Sequence, residues 1–230
     1  MRNSRLLITP YPHQLDNVMH FHLNRYKSAD WSDCGIGKSL IALLKFDALW
    51  ASEVVDRLLV VCPLSVMNSW YTDIKNQTSY IPIKVVGNAE QKISLLKGNG
   101  DIFLITYDSI VGKGVNKGKV FLALCDSFEG KNMIILDEAT MIKSWVANRT
   151  QALDSLCKEI KYSMFLSGTF MPQNIEEIFT IYRLMDGGQT FGDNIYSARA
   201  HYKEDVSPSE KFKKWVLKKE TQEEFQTKLY

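Results

Sequence analysis

The sequence lacks the features that mark membrane-spanning and secreted proteins. No stretch approaches the roughly 20 consecutive apolar residues that a transmembrane helix needs. The first ten residues carry two arginines but no long apolar core and no small-residue cleavage site, so we interpret them as part of the fold and not as a signal peptide. We therefore expect an intracellular protein without a membrane partner.

Cysteine and an excess charge of one sign are also scarce. The four cysteines, at positions 34, 62, 125 and 157, form no C-x-x-C pair, which disfavours a zinc site or a disulfide framework. Lysine and arginine number 28 against 26 aspartates and glutamates, a formal net charge of +2. Any contact with nucleic acid must therefore be local, because overall charge is too small to drive it.

The chain of 230 residues is 45% hydrophobic, enough for one large globular domain or one domain with an appended segment. Short, nearly continuous apolar runs predict strands buried on both faces, at 28–31, 58–62, 81–86, 102–106, 133–136 and 164–167. Helical spacing predicts helices between them, at 38–52, 65–76, 120–126 and 150–160. This alternation predicts an α/β fold, a parallel β-sheet flanked by helices on both faces.

The regular pattern weakens near Gly187, and a tail rich in lysine and glutamate follows. We therefore predict a domain over residues 1–190 and a helical extension over 191–230.

A phosphate-binding loop is the strongest local signal. The segment 32–39 reads S-D-C-G-I-G-K-S between a short apolar strand and a long amphipathic helix. In such a loop the glycines let backbone N–H groups approach phosphate oxygens, the lysine reaches the β- and γ-phosphates, and the hydroxyl can bind Mg²⁺. The general pattern has glycine where this chain has Ser32, so a chance G-x-G-K-S turn is the alternative. The candidate nucleotide-binding residues are Asp33, Cys34, Gly35, Ile36, Gly37, Lys38 and Ser39.

Two carboxylates follow the apolar run 133–136. Ligands of parallel sheets bind at the carboxyl ends of strands, so Asp137 is placed to hold Mg²⁺ together with Ser39. Glu138 can then orient and deprotonate an attacking water. The alternative is a solvated loop that follows a buried strand, and the phosphate loop upstream favours the catalytic interpretation.

Taken together, the motifs resemble helicase superfamily 2, and within it the Swi/Snf-type branch, including its compact phage and bacterial members. Six segments match family motifs in the right order: Y-P-H-Q (11–14), S-D-C-G-I-G-K-S (32–39), V-C-P-L-S (61–65) followed by Trp70, I-T-Y-D (105–108), L-D-E-A-T-M-I-K-S (136–144) and L-S-G-T (166–169).

The resemblance implies a RecA-like P-loop NTPase domain that uses ATP and Mg²⁺, with Lys38, Asp137 and Glu138 as catalytic residues. It implies that Gln14 recognises adenine. It assigns the coupling of nucleotide state to the rest of the motor to Thr140, Lys143, Ser167, Gly168 and Thr169. It places nucleic-acid contacts at Pro63, Ser65, Thr106 and Lys113. The implied partners are duplex DNA, with RNA less favoured, and a second RecA-like domain in the same or another chain.

Three positions depart from the family pattern. Thr140 replaces a histidine, Phe170 replaces a proline, and Ser39 replaces a threonine but keeps the hydroxyl. No second set of motifs follows residue 174, and family members complete the ATP site with an arginine from a second domain. Loss of such an arginine can cost roughly 10³ to 10⁵ in rate, so we expect poor turnover by this chain alone.

We therefore expect the ATP-binding, DNA-dependent ATPase half of a helicase-like duplex-DNA translocase. It would act in the cytoplasm or nucleoid, or in the host cytoplasm if a phage encodes it. The alternative is a nucleotide-dependent module that binds DNA or a protein without hydrolysing ATP. A P-loop kinase or small GTPase is disfavoured by the Y-P-H-Q and S-G-T motifs and by the lack of a guanine-recognition motif.

Overall fold

The computed structural model describes residues 1–33, 35–111, 118–142, 144–145, 147–168, 175–192, 194–206 and 215–229. The chain divides into two compact units, Met1–Phe170 and Met171–Tyr230.

Among the described residues, six strands of the first unit form one parallel sheet with the order β1-β6-β5-β2-β4-β3. The strands are β1 (Lys27–Asp30), β2 (Arg57–Cys62), β3 (Pro82–Lys84), β4 (Ile102–Thr106), β5 (Asn132–Leu136) and β6 (Tyr162–Leu166). In the centre, Val60 lies between Leu104 and Ile135. All three side chains are fully buried. The predicted parallel sheet is confirmed, because strands covered on both faces must be apolar along their whole length.

Helices cover both faces of this sheet. They are α1 (Pro12–Asn17), α2 (Lys38–Ala51), α3 (Leu64–Gln77), α4 (Ala89–Leu96), α5 (Tyr107–Val111), α6 (Lys119–Ser127) and α7 (Asn148–Glu159). A π-helical turn, Val18–His22, continues α1. On one face, α2 and α3 pack against Leu58, Val60 and Cys62. On the other face, the Phe103 ring meets the Phe128 ring at the end of α6, 5.5 Å between centroids.

The second unit contains α8 (Ile175–Asp186), α9 (Ile195–Tyr202), α10 (Gln222–Leu229) and an antiparallel pair, β7 (Lys203–Asp205) with β8 (Trp215–Leu217). The rings of Phe179, Tyr182, Phe191, Tyr202 and Phe225 pack together at its centre. The predicted boundary at residue 190 lies inside this unit, because α8 contributes Phe179 and Tyr182 to a cluster completed by later residues. The segment 191–230, predicted as a helical extension, contains two short strands besides its helices. The division by function, an ATP-binding domain over 1–190 and an extension over 191–230, stays a prediction.

Candidate functional site

The predicted site residues gather at the carboxyl edge of the sheet. The segment 31–37 follows β1, Asp137 and Glu138 follow β5, and Ser167 and Gly168 follow β6. Since β6 lies between β1 and β5, these three segments are neighbours on one edge. Four predicted residues lie outside the described part of the chain: Cys34, Lys113, Lys143 and Thr169.

Gly35 to Gly37 have the backbone conformation of a glycine-rich loop that opens a helix. Gly35 and Gly37 have φ angles of +91° and +86°, a left-handed backbone that favours glycine. The helix α2 begins at Lys38, with Ser39 as its second residue. The Lys38 ammonium donates to the carbonyl oxygens of Ser32, at 2.8 Å, and Asp33, at 2.9 Å. The unpaired N–H groups at the start of this 14-residue helix favour an anion.

Gln14 lies directly against this loop. Its side chain is 4% exposed, and Nε2 donates to the carbonyl oxygen of Ile36 at 3.3 Å. Its Oε1 accepts a hydrogen bond from the backbone N–H of Tyr11 at 3.1 Å. A Cβ on Gly37 would clash with the Gln14 amide. The glutamine and the loop therefore form one packed unit, although Gln14 is separated from Lys38 by a strand.

Asp137 is held in one orientation by three bonds. The indole Nε1 of Trp70 donates to Oδ2 at 2.7 Å, and the backbone N–H of Glu138 donates to Oδ1 at 3.0 Å. The hydroxyl of Tyr107, a buried residue, donates to the Asp137 backbone carbonyl at 2.7 Å. Burial raises the pKa of Asp137, while the Trp70 bond, the Glu138 N–H and the charge of Lys38 oppose that rise. Trp70 matched a family motif in the sequence, and this bond gives it a physical role.

Glu138 combines a strained backbone with a perturbed carboxyl group. Its φ of +49° is a left-handed conformation that non-glycine residues adopt at a cost, and such strain concentrates at functional sites. Burial and the neighbouring charge of Asp137 raise the pKa of Glu138, and Lys38 opposes the rise. The charge of Lys38 therefore acts to lower the pKa of both carboxyl groups.

Three predicted coupling residues lie at this edge of the sheet. Thr140 lies in a 3₁₀ turn, Ala139–Met141, directly after the carboxylates. Ser167 is buried, and its backbone N–H donates to the carbonyl oxygen of Asp30 at 3.2 Å. Gly168 follows it in the chain. Both segments lie at the edge of the sheet that carries the phosphate loop, and their coupling role stays a prediction.

A groove of about 320 Å³ opens beyond the ends of β2 and β4. Pro63 and Thr106, two predicted nucleic-acid contacts, both line it, together with Lys92 and Ser109. The Lys92 ammonium donates to the Ser109 hydroxyl at 2.9 Å, and that hydroxyl lies 2.8 Å from the Thr106 hydroxyl. Ser65 is exposed in the first turn of α3 and is not among the lining residues.

Sequence reasoning missed Lys92, although a signal was present. Asn88 accepts a hydrogen bond from the backbone N–H of Gln91 at 2.9 Å, and the Gln91 side chain accepts the Asn88 N–H at 2.8 Å. This capping box marks a helix start. Reading it from the letters N-A-E-Q would have placed Lys92 in the first turn of a helix, and the fold then brings that turn to the groove.

A second omission is a buried polar cluster beneath the loop. The Lys45 side chain is fully buried, and its ammonium donates to the Ser28 hydroxyl at 3.0 Å and the Arg25 carbonyl at 3.1 Å. Burial lowers the pKa of Lys45 to about 7. His22 Nε2 lies 3.9 Å from Asp30 Oδ2. Burial lowers the pKa of His22 to about 4, so the imidazole is neutral near pH 7. Isolated polar letters in a sequence do not reveal such long-range packing.

Comparison with known proteins agrees with this geometry. The family model described as SNF2-related domain matches residues 29–229. An uncharacterised ATP-dependent helicase of Bacillus subtilis, YqhH, is 24% identical over 189 residues, which cover 82% of this chain and 31% of YqhH. A Caenorhabditis elegans homologue of the SWI/SNF-related matrix-associated actin-dependent regulator of chromatin subfamily A-like protein 1 is 29% identical over 184 residues, which cover 76% of this chain and 24% of that protein. The chain therefore spans about a quarter to a third of the length of these relatives.

A solved structure shares the fold. The Sulfolobus solfataricus SWI2/SNF2 ATPase core in complex with double-stranded DNA matches with a TM-score of 0.68 and 19% identity, over 88% of this chain and 40% of that one. The RecA-like architecture predicted from the sequence is thereby confirmed. Separately, none of the helices in the described segments is long and apolar enough to cross a membrane.

Proposed function

Because the chain belongs to the SNF2-related domain family, we propose that it is the ATP-binding half of a helicase-like ATPase that acts on duplex DNA. One observation carries the proposal: the loop that leads into Lys38 follows β1, and Asp137 and Glu138 follow β5, so both lie at the same carboxyl edge of a parallel sheet. A surface turn that happened to read G-K-S would have no reason to lie beside two carboxylates from a distant strand.

The loop residues fit a nucleotide triphosphate. Backbone N–H groups at Gly35, Gly37 and the first turn of α2 would surround the phosphates. Lys38 would exchange its bonds to the Ser32 and Asp33 carbonyls for stronger, charge-assisted bonds to phosphate oxygens. Gln14 lies against the loop backbone, where its amide can reach a base bound next to the phosphates.

The oxygen ligands at the site fit magnesium. Mg²⁺ prefers carboxylate, hydroxyl, phosphate and water oxygens, and Asp137 and Ser39 supply the first two. The described residues hold no group of three or more His, Cys, Asp or Glu side chains that could bind a metal ion by themselves. A metal at Asp137 would therefore share its coordination with phosphate and water. When bound, it would neutralise the negative charge that develops on the phosphates.

Glu138 fits the role of the general base. A base works best when its pKa lies near the working pH, and burial together with Asp137 raises the pKa of this carboxyl group. Its backbone has a φ of +49°, a strained conformation of the kind that concentrates at functional sites. We propose that it orients the attacking water and accepts its proton.

The groove beside β2 and β4 fits a phosphate backbone. It presents one ammonium, Lys92, and the hydroxyls of Thr106 and Ser109. Such groups bind phosphate without reading sequence. Asp108 also lines the groove, and Arg149 lies 3.6 Å from its carboxylate, so that negative charge has a cationic partner. The Sulfolobus structure with this fold is a complex with double-stranded DNA, which supports duplex DNA over RNA as the ligand.

A second RecA-like domain, in the same polypeptide or another, would complete the ATP site. Its support is the greater length of the relatives, of which this chain spans 31% and 24%. An arginine supplied by such a domain typically contributes 10³ to 10⁵ in rate. We therefore expect the 230-residue chain to bind ATP well and hydrolyse it slowly.

A second candidate is a module that binds ATP and DNA but does not hydrolyse. Thr140 favours it, because the threonine in the 3₁₀ turn after Glu138 replaces a histidine expected to take part in coupling. The intact set of Lys38, Ser39, Asp137 and Glu138 favours hydrolysis.

ATP turnover by the purified chain, with and without duplex DNA, tests the proposal. Lys38→Ala should abolish nucleotide binding, whereas Glu138→Gln should keep binding and abolish turnover, because it removes only the base. Slow, DNA-stimulated turnover that both variants lose supports the ATPase. Binding without any turnover in the wild-type chain supports the non-hydrolysing module. Nucleotide binding that survives Lys38→Ala contradicts both.

A further inference from the structure

Asp30 is a buried carboxylate at the point where β1 ends and the phosphate loop begins. It is the last residue of the strand and is 4% exposed. Its backbone carbonyl accepts the N–H of Ser167 at 3.2 Å, which ties the strand end to the segment after β6. A charge in the interior is destabilising unless hydrogen bonds compensate it, so the partners of this carboxylate indicate its role.

Both hydrogen bonds of the Asp30 side chain go to the loop. Its Oδ1 accepts the backbone N–H of Ser32 at 3.0 Å and also the Ser32 hydroxyl. The Ser32 carbonyl in turn accepts the Lys38 ammonium at 2.8 Å. The buried carboxylate therefore restrains the start of the loop, and the restrained peptide holds the lysine at its end.

The other oxygen of Asp30 faces the interior. His22 Nε2 lies 3.9 Å from Oδ2, beyond hydrogen-bond distance. Within the described residues, neither Asp30 Oδ2 nor His22 Nδ1 has a hydrogen-bond partner. Ser28, which holds the Lys45 ammonium, lies on the same face of β1 two residues earlier. The hydrogen bonding of this carboxylate is thus directed entirely to Ser32.

This pair accounts for the main departure of the loop from the general pattern. The pattern has glycine at the position of Ser32, and glycine leaves a loop conformationally free. Here the position carries a hydroxyl with a buried acceptor. Two bonds from one residue to one carboxylate restrict the loop in a way that glycine cannot.

We infer that Asp30 is a positioning residue for the nucleotide, which holds the phosphate loop through Ser32 in the conformation that receives the phosphates. The inference rests on the proposed nucleotide site and adds to it a residue that does not touch the ligand. A loop ordered before binding loses less conformational entropy when it binds. Breaking the Asp30–Ser32 bonds therefore weakens nucleotide affinity.

A double-mutant cycle with Asp30→Ala and Ser32→Gly tests the inference. The readout is the dissociation constant of a fluorescent ATP analogue with Mg²⁺. A hydrogen bond to a charged group corresponds to about 10- to 100-fold in an equilibrium constant. We expect Ser32→Gly to weaken binding about tenfold in the wild-type background and less than about threefold in the Asp30→Ala background, because its hydroxyl then has no acceptor.

Asp47→Ala is the matched control. Asp47 is also 4% exposed. It accepts bonds from the Ser4 hydroxyl at 2.7 Å and the Tyr80 hydroxyl at 2.8 Å, and does not bond to the loop. Its loss should lower the midpoint of urea unfolding without changing the dissociation constant. If Asp30→Ala does not fold, Asp30→Leu takes its place in the cycle with the same expected result, because leucine also lacks an acceptor but fills more of the buried space.

Three outcomes distinguish the possibilities. The cycle supports the inference if the two effects are coupled. If the wild-type protein binds the analogue but the folded variants have dissociation constants within about twofold of the wild-type value, the inference is overturned and the proposed function stands. The same holds if Ser32→Gly has an equal effect on the dissociation constant in both backgrounds. Absence of nucleotide binding by the wild-type protein overturns the proposed function and this inference with it.

Discussion

The bond between Trp70 and Asp137 can be removed with little change of shape. Trp70 is 2% exposed, and its Nε1 donates to Asp137 Oδ2 at 2.7 Å. Trp70→Phe keeps an aromatic ring in the core between α3 and the sheet but removes the donor. The substitution therefore tests whether the tryptophan of this motif stabilises the carboxylate proposed to bind Mg²⁺.

The expected loss of stability has two parts. A hydrogen bond to a charged acceptor contributes about 1.5–3 kcal/mol. The smaller ring loses contacts and leaves a cavity, which adds about 1–2 kcal/mol. The free energy of unfolding should thus fall by about 2.5–5 kcal/mol, which does not exceed the roughly 5–15 kcal/mol typical of a folded domain. The variant should remain folded in buffer.

A second consequence concerns pH. Burial raises the pKa of Asp137, and the Trp70 bond opposes that rise, so its removal raises the pKa further. Since only the ionised carboxylate binds Mg²⁺, the acid limit of Mg²⁺-dependent nucleotide binding should move to higher pH in Trp70→Phe. A structural defect alone would weaken binding without moving this limit.

Urea unfolding followed by far-ultraviolet circular dichroism measures the first effect, and nucleotide titrations across a pH series measure the second. Trp50→Phe is the control, because the Trp50 ring meets Tyr80, 5.5 Å between centroids, and not Asp137. Equal losses of stability in Trp50→Phe and Trp70→Phe, together with the same acid limit in all three proteins, would refute the reasoning.

Three further predictions use matched variants. In urea titrations, Gly37→Ala should lower the free energy of unfolding by at least about 1 kcal/mol more than Gly118→Ala. Both glycines have φ near +85°, but only a Cβ at Gly37 meets the Gln14 amide. Equal losses of stability would contradict a role for Gln14. Between pH 7 and 8.5 the free energy of unfolding of the wild-type protein should rise by up to about 1.4 kcal/mol per pH unit relative to that of Lys45→Met. Burial lowers the pKa of Lys45 to about 7 in the folded protein, while the unfolded chain keeps that proton up to about 10.5. Parallel plots of the free energy of unfolding against pH for the two proteins would show that Lys45 does not titrate in this range. In fluorescence titrations, Lys92→Gln should reduce the slope of log affinity for duplex DNA against log salt concentration by about 0.9, because one fewer cation displaces counterions. Lys131 lies at the opposite edge of the sheet, beside the Glu53 carbonyl, so Lys131→Gln should leave the slope unchanged. An equal effect of the two substitutions would show that DNA does not bind in the groove.

The sheet and the nucleotide loop were predictable because their signals are local. An apolar run such as M-I-I-L ending in two acidic residues indicates both a buried strand and the position of its carboxyl end. Parallel strands align those ends at one edge, so the meeting of the loop with Asp137 and Glu138 follows from the fold class. Pro63 and Thr106, two predicted nucleic-acid contacts, line one groove for the same reason, because they lie at the carboxyl ends of the adjacent strands β2 and β4.

Other features depend on contacts between residues far apart in the sequence. The second unit is held by rings from Phe179 to Phe225, and no local pattern announces that α8 belongs with them. The pair β7–β8 is only three residues long on each side, too short for a periodic signal. Asp30 reads as a polar residue at a strand end, and its bonds to Ser32 appear only when the backbone turns at the loop.

The polar groups of the site are largely satisfied by the protein itself, and this bears on how a nucleotide binds. Lys38 bonds to two loop carbonyls, Gln14 to Ile36, and Asp137 to Trp70. Binding affinity then reflects the difference between the bonds gained and the bonds given up. The largest difference belongs to Lys38, which would exchange neutral carbonyls for charged phosphates, whereas the Trp70 bond can persist because a carboxylate has further lone pairs for Mg²⁺. We therefore expect the Lys38 side chain to change its hydrogen-bond partners when a nucleotide binds. The Trp70–Asp137 hydrogen bond should stay in place.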